Sequence, residues 1–193
     1  IQTIGFKRRV RYAPLARRDL RIGNYLYLQL ASAISDGDTV EVTNPSVAFW
    51  RKETRFTAKT DPLRYSPVIH LNQVAYVPSF PKSVMIGYFL GNLGELDYPV
   101  TNGFQLIDSR TQATAYRGSL KPRPDVGFED QPRPYQKVLE ADFSDFKIAG
   151  RYRLIVPGLG SSVPFFIDEG GAAAVARTYA LGLYHQRCGT SNA

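Results

Sequence analysis

Cysteine is nearly absent from this chain of 193 residues, which contains only Cys188. A single cysteine excludes an internal disulfide framework and a cysteine-based zinc site, although it leaves the redox compartment undecided. Long apolar runs are also missing, and no stretch approaches the roughly 20 residues that a membrane-spanning helix needs. We therefore expect a soluble chain with no membrane partner.

A leader sequence is missing as well, because the chain starts at Ile1 and shows no basic segment followed by an apolar one. We expect that any signal peptide has been removed or lies outside the sequence. What is present is apolar: 44% of the residues are hydrophobic, with twelve Tyr and eleven Phe. This composition is ample for a packed core and excludes a disordered chain.

The net charge of +7 is concentrated at one end of the chain. Residues 1–65 hold twelve Lys or Arg against six Asp or Glu, whereas residues 66–193 hold twelve against eleven. A basic run can bind polyanions, but this one has no helical period and no nucleic-acid fold signature. We favour a solvated or charge-paired face and expect no nucleic-acid partner. The run consists of Lys7, Arg8, Arg9, Arg11, Arg17, Arg18 and Arg21.

Strand patterns follow this run. Residues 24–30 alternate as a half-buried strand does, and residues 39–43 form a second strand after the turn-forming Asp36-Gly37-Asp38. We predict a hairpin from these two strands, with a third strand within residues 51–58. Residues 1–65 are thus predicted to be a β extension, which either leans on the next module or is half of a larger β domain.

Residues 68–89 are predicted to form two strands joined by a turn, after a domain boundary at residues 60–67 that Pro62 and Pro67 mark. Seven strand candidates follow the boundary, at the intervals of an antiparallel sandwich. They are residues 68–74, 82–90, 103–108, 113–120, 136–143, 150–156 and 163–167. Gly150 before Tyr152 resembles the tyrosine corner of immunoglobulin-like folds. We predict a mainly β, Ig-like sandwich without the disulfide and buried Trp of antibody domains.

Two segments depart from the strand pattern. Residues 121–135 are a long, proline-rich loop, interpreted as a rigid wrap against a neighbouring domain; a polyproline ligand is the alternative. Residues 171–187 have a helical pattern with Val175, Tyr179 and Leu183 on one stripe. A lone amphipathic helix has nothing to bury its stripe against, so it must dock on the sandwich or begin another domain.

No complete active site is visible in the sequence. It contains no nucleophile elbow, phosphate loop, His-Glu-x-x-His or dinucleotide motif. Asp142 and Asp145 fit an acid/base pair, but their position between two strands favours a turn with side-chain capping. Glu129 and Asp130 lie in the proline-rich loop and are expected to be solvated.

The histidines are weak candidates too. His70 is interpreted as a hydrogen-bonded structural residue and not as a metal ligand. His185 and Cys188 are three residues apart and suggest a nucleophile with its base, but no orienting group accompanies them, so packing is favoured. We expect no catalytic, cofactor-binding or metal-binding residue in this chain.

Six motifs, however, occur in the order found in glycoside hydrolase family 9 cellulases, which the chain resembles over about residues 68–189. The resemblance is to their N-terminal Ig-like domain and to the first helix of the catalytic domain. One departure is Ala75, where the family usually has Gly. The motifs lie at residues 69–78, 81–82, 141–146, 150–154, 162–167 and 184–189.

This resemblance implies a secreted enzyme whose (α/α)₆ barrel lies downstream and hydrolyses β-1,4-glucan with inversion. In the family, an Asp of an Asp-Ala-Gly-Asp motif activates water and a distant Glu protonates the leaving oxygen. Inverting carboxylates stand roughly 6.5–9.5 Å apart to admit that water. The motif is absent from this chain, so the catalytic residues are expected beyond Ala193.

The predicted organisation is therefore a β extension (1–65), an Ig-like sandwich (66–169) and the first helix of a barrel (170–193). The expected partners are the catalytic domain of the same protein and, through it, β-glucan. A stand-alone carbohydrate-binding or cell-surface adhesion module is the alternative. An exo-acting glucosidase or glucosaminidase of the same family is another.

Overall fold

The computed structural model describes residues 1–12, 21–48, 50–99, 103–124 and 137–187. The chain divides into two compact units. The N-terminal unit comprises Ile1–Arg64 and Tyr88–Leu96, and the Ig-like unit comprises Tyr65–Gly87 and Asp97–Ala193. The assignment of residues 1–65, 66–169 and 170–193 as separate domains stays a prediction.

The N-terminal unit contains two antiparallel hairpins. Strand β1 (Thr3–Tyr12) pairs with β2 (Arg21–Gln29), and β3 (Thr39–Val42) pairs with β4 (Phe56–Lys59). The segment after residue 87 joins this unit through a 3₁₀ turn, Gly91–Leu93. β1 approaches this turn closely, since a Cβ on Gly91 would lie 2.1 Å from the carbonyl oxygen of Phe6. Only glycine fits there, where φ is also +64°.

The predicted hairpin between residues 24–30 and 39–43 is wrong, because β2 pairs with β1 and β3 pairs with β4. β1 has no counterpart among the predicted strands, because the basic residues around Arg9 make the segment look like a charged run. Across the pair, however, Phe6 faces Leu26 in a cross-strand contact that stabilises sheets. The turn at Gly37 exists, but it contacts the end of β4, where the Gly37 amide donates to Thr60 O at 3.0 Å.

The Ig-like unit is a sandwich of eight antiparallel strands among its described residues, which confirms the predicted fold class. The sheet order is β11-β10-β7-β8-β9-β6-β5, and β12 also pairs with β10. The strands are β5 (Ile69–His70), β6 (Ser83–Ile86), β7 (Gly103–Asp108), β8 (Thr114–Pro122), β9 (Leu139–Asp142), β10 (Gly150–Val156), β11 (Gly160–Ser161) and β12 (Phe165–Ile167). Helix α1 (Gly170–His185) follows at once.

Strand β8 serves both layers of the sandwich. Its first half pairs with β7, and residues from Leu120 onward pair with β9. The change of partner lies next to Gly118, where a Cβ would lie 2.5 Å from the Phe104 ring. A larger residue would therefore displace the buried Phe104 ring from its place in the core.

The core lies between the layers and follows the predicted alternation. In β10 the side chains of Tyr152, Leu154 and Val156 are buried, because successive residues of a strand point to opposite faces. The Tyr152 hydroxyl donates to Ile148 O at 3.3 Å, which confirms the tyrosine corner. Burial raises the pKa of Tyr152, so the hydroxyl keeps its proton.

Candidate functional site

The junction between the sandwich and α1 is built by backbone hydrogen bonds. The Tyr76 amide donates to Phe166 O of β12 at 2.8 Å, and just beyond β12 the Asp168 amide donates to Tyr76 O at 2.9 Å. Oδ1 of Asp168 then accepts a hydrogen bond of 2.6 Å from the Gly170 amide, which would otherwise lack a partner at the helix start. The helix therefore begins directly from the last strand, without a linker.

Ala75 and Gly171 touch where the helix begins. A Cβ on Gly171 would lie 2.4 Å from the Cβ of Ala75, far inside van der Waals contact. Ala75 is held by Asn72, whose Nδ2 donates to Ala75 O at 2.8 Å. The Oδ1 of Asn72 accepts a hydrogen bond from the Val74 amide at 3.0 Å. The first turn of the helix thus packs on a rigid loop.

Tyr76 anchors this loop in the core. Its hydroxyl donates to Ser83 O at 2.8 Å and accepts from the Asn72 amide at 3.0 Å. Its ring packs edge-to-face on Phe143 and Phe165, with centroids 5.2 and 5.4 Å away. Burial raises the pKa of Tyr76 above its ordinary value.

Lys82 is a buried cation in the same loop, with 0% of its surface exposed. Its Nζ donates to three backbone carbonyls, at 2.7 Å to Pro78, 2.9 Å to Phe80 and 3.1 Å to Ser144. The three donors of an ammonium group are thereby satisfied. Burial and the nearby positive charge of Lys147 lower the pKa of Lys82. The side chain ties the loop before β6 to the turn after β9.

Asp142, the last residue of β9, caps that turn, which confirms the capping interpretation. Oδ1 of Asp142 accepts hydrogen bonds from Ser144 Oγ at 2.6 Å and from the Ser144 amide at 2.8 Å. These bonds lower the pKa of Asp142. Phe143 and Phe146 are buried on either side, as predicted. Asp142 and Asp145 line one polar pocket, about 270 Å³ in volume, together with Lys121.

Helix α1 contributes no buried residue to the Ig-like unit. Its large apolar side chains are exposed: Tyr179 by 71%, Leu181 by 54%, Leu183 by 67% and Tyr184 by 51%. The predicted helix is confirmed; in its stripe, Tyr179 and Leu183 are exposed and Val175 is half-buried. The described part of this chain supplies nothing that covers these side chains.

The structure does not bring the other candidate residues together into a site at this junction. His70 has the hydrogen-bond partner expected of a structural residue, since its Nε2 lies 2.9 Å from Gly87 O. His185 is exposed on α1, whereas Cys188, Glu129 and Asp130 lie outside the described residues. Across the ranges that the structure describes, no three His, Cys, Asp or Glu side chains are placed to hold a metal ion. Within the same ranges, no helix has the length and apolarity to cross a bilayer.

Two features of the junction are missing from the sequence-based expectation. The burial of Lys82 has no local signal, because lysine is normally exposed and the Pro-Lys motif alone does not indicate where its amine points. The fit of Ala75 to Gly171 joins residues almost a hundred positions apart. The one hint was that the related family usually has glycine at position 75.

The described fold defines a class: an Ig-like β-sandwich module whose last strand runs without a linker into a helix. The family described as the cellulase N-terminal Ig-like domain matches residues 64–161, about half of the chain. The chain belongs to this family, and the resemblance to glycoside hydrolase family 9 is confirmed.

Similar proteins agree with this assignment. Endoglucanase D of Acetivibrio thermocellus is 29% identical over 141 residues, which is 72% of this chain and 20% of that protein. The crystal structure of a metagenome-derived glycoside hydrolase family 9 endoglucanase is 26% identical with a TM-score of 0.51, over 63% of this chain and 21% of that one. The chain thus spans about a fifth of the length of each.

Proposed function

We propose that this chain is the N-terminal, non-catalytic region of a secreted family 9 endo-β-1,4-glucanase. Its Ig-like unit would hold the first helix of the catalytic (α/α)₆ domain in position and cover part of that domain's surface. The similar endoglucanases support the parent activity, and the family assignment supports the place of the module. Inversion, secretion and β-glucan as substrate follow from the resemblance.

The exposed apolar surface of α1 carries this proposal. Tyr179 and Leu183 lie one helical turn apart and are among its most exposed side chains. Burying one such side chain stabilises a protein by about 1.5–3 kcal/mol, so a neighbouring domain gains several kcal/mol by covering the helix. Because the start of α1 is fastened at Asp168 and Gly171, the sandwich would also fix where that domain attaches.

One substitution, made in two contexts, tests this proposal. Leu183→Ser is expected to change the stability of residues 1–193 by less than about 0.5 kcal/mol, since the side chain is already in solvent there. In the full-length protein the same change is expected to cost about 2–4 kcal/mol, as for a buried leucine. Arg177→Ser on the same helix is the control and should be nearly neutral in both. Equal small effects of Leu183→Ser in both contexts would contradict the proposal.

A deletion addresses the scaffold role more broadly. Removing residues 1–168 from the full-length protein is expected to lower both its thermal midpoint and its glucanase activity, because the helical domain loses its cover. Unchanged stability and activity would defeat the scaffold idea. The coding sequence after Ala193 gives a further check, since it should continue into a helical domain containing Asp-Ala-Gly-Asp.

The choice between endo-acting glucanase and exo-acting glucosidase or glucosaminidase needs product analysis of that full-length enzyme. A mixture of long oligosaccharides early in the reaction is expected for endo action. Release of single sugar units from the start would favour the exo-acting alternative.

A further inference from the structure

The N-terminal unit contains an apolar groove between its two hairpins, with a volume of about 660 Å³. Three aromatic side chains line it, Phe6 from β1, Phe56 from β4, and Trp50. Four aliphatic side chains from β2, β3 and the β3–β4 connection complete its walls. Grooves of this size that combine apolar walls with a few polar groups are typical ligand sites.

The aromatic wall is held in place and open to solvent. Trp50 packs edge-to-face on Phe56 with ring centroids 5.4 Å apart, and its Nε1 donates to Thr54 O at 3.1 Å. Phe56 is 56% exposed and Phe6 is 44% exposed. A ligand therefore meets ring surfaces whose orientation is already set, which lowers the entropic cost of binding.

The polar groups of the groove are Arg8 and Asn24, which lie opposite each other in the register of β1 and β2. Arg8 forms no ion pair with any residue that the structure describes. Among the described residues that line the groove, Arg8 is the one with a charged side chain. The groove is thus complementary to a ligand with an apolar face and a negative charge.

We propose that this groove binds a saccharide that carries a carboxylate, such as a β-linked uronate. The C–H face of a pyranose ring would stack on the aromatic wall, and the guanidinium of Arg8 would hold the carboxylate through paired hydrogen bonds. Asn24 supplies both a donor and an acceptor for sugar hydroxyls. The inference rests on the proposed function only in that a secreted glucanase encounters such polymers.

Trp50 gives a direct readout, because it is the single tryptophan of this chain and it lines the groove. Its fluorescence is to be followed while residues 1–193 are titrated with cellotetraose or with its C6-oxidised counterpart, a β-1,4-linked oligoglucuronate. The two ligands differ only in the carboxylates. We expect a saturable change with the uronate, at least about tenfold tighter binding than with the neutral sugar, and weakening by added salt.

Two neighbouring arginines form a matched pair of variants. Arg8→Gln is expected to weaken uronate binding at least about tenfold, since a charge-assisted hydrogen bond is lost in the groove. Arg9→Gln removes the same charge from the opposite face of β1 and should change binding less than about twofold. Circular dichroism shows whether each variant is folded.

Three results would overturn the inference. They are an unchanged Trp50 emission with either ligand, equal affinity for both ligands, and equal losses in the two arginine variants, which would indicate unspecific attraction of a polyanion. An acidic protein segment as the true occupant would give the first of these. Because binding is measured on this chain alone, such a failure leaves the glucanase proposal standing.

Discussion

The contact between Ala75 and Gly171 allows a quantitative test of how the sandwich seats the helix. In Gly171→Ala the new Cβ lies 2.4 Å from the Cβ of Ala75, so the two groups must separate by more than 1 Å to reach normal contact. Overpacking of this kind costs about 1–3 kcal/mol. The gain in helix propensity from Gly to Ala is at most about 1 kcal/mol and offsets only part of this cost.

The double variant Ala75→Gly/Gly171→Ala removes the clash. The next neighbour of the new Cβ at position 171 is the Cα of residue 75, at 3.8 Å, which is an ordinary contact. Ala75→Gly alone is expected to cost about 0.5–1 kcal/mol through backbone entropy. The double variant should therefore be more stable than the sum of the single changes predicts, with a coupling energy of about 1–2 kcal/mol.

Denaturant unfolding of the four proteins measures the coupling energy. Amide hydrogen exchange at Gly171 and the next residues shows whether the first turn detaches before the sandwich unfolds. Gly182→Ala is the control, because a Cβ there meets nothing within 4 Å and should only slow exchange in the helix. Strictly additive effects, or a Gly171→Ala variant as stable as the wild type, would refute the reasoning.

The other two predictions concern Lys82, before β6, and Asp142, at the end of β9. Lys82→Met should cost about 2–4 kcal/mol in urea unfolding, since it leaves three backbone carbonyls without their donor. The exposed Lys147→Met should cost less than about 0.5 kcal/mol, and similar costs for the two variants would contradict this. Hydrogen bonds from Ser144 lower the pKa of Asp142 in the folded protein. The Asp142 carboxylate therefore stabilises the fold above its unfolded pKa of about 3.9, and this stabilisation is lost as pH falls through the folded pKa. Asp142→Asn should therefore lower the free energy of unfolding at neutral pH, and the difference from the wild type should disappear in acid. A difference that does not change with pH would contradict the stabilising role of the Asp142 carboxylate.

Much of the Ig-like unit was predictable because its signals are local. In β7 and β10 alternate residues such as Leu106 and Leu154 are apolar, and a strand with one buried face requires that pattern. The Asp142 turn and the tyrosine corner at Tyr152 were predictable for the same reason. Each depends on residues within a few positions of one another.

Tertiary structure alone decided which strands pair and which distant groups meet. The sequence shows turn residues at Gly37, but the choice of β1 as the partner of β2 depends on a cross-strand fit such as Phe6 with Leu26. Likewise, Lys82 is stable inside only because two loops far apart in the chain place three carbonyls around its amine. The sequence therefore determined most strands of the Ig-like unit, the Asp142 turn and the helix, whose patterns are short-range, but not β1. Pairing, the buried cation and the contact of Ala75 with Gly171 required the folded chain, because their energies arise between segments that only folding brings together.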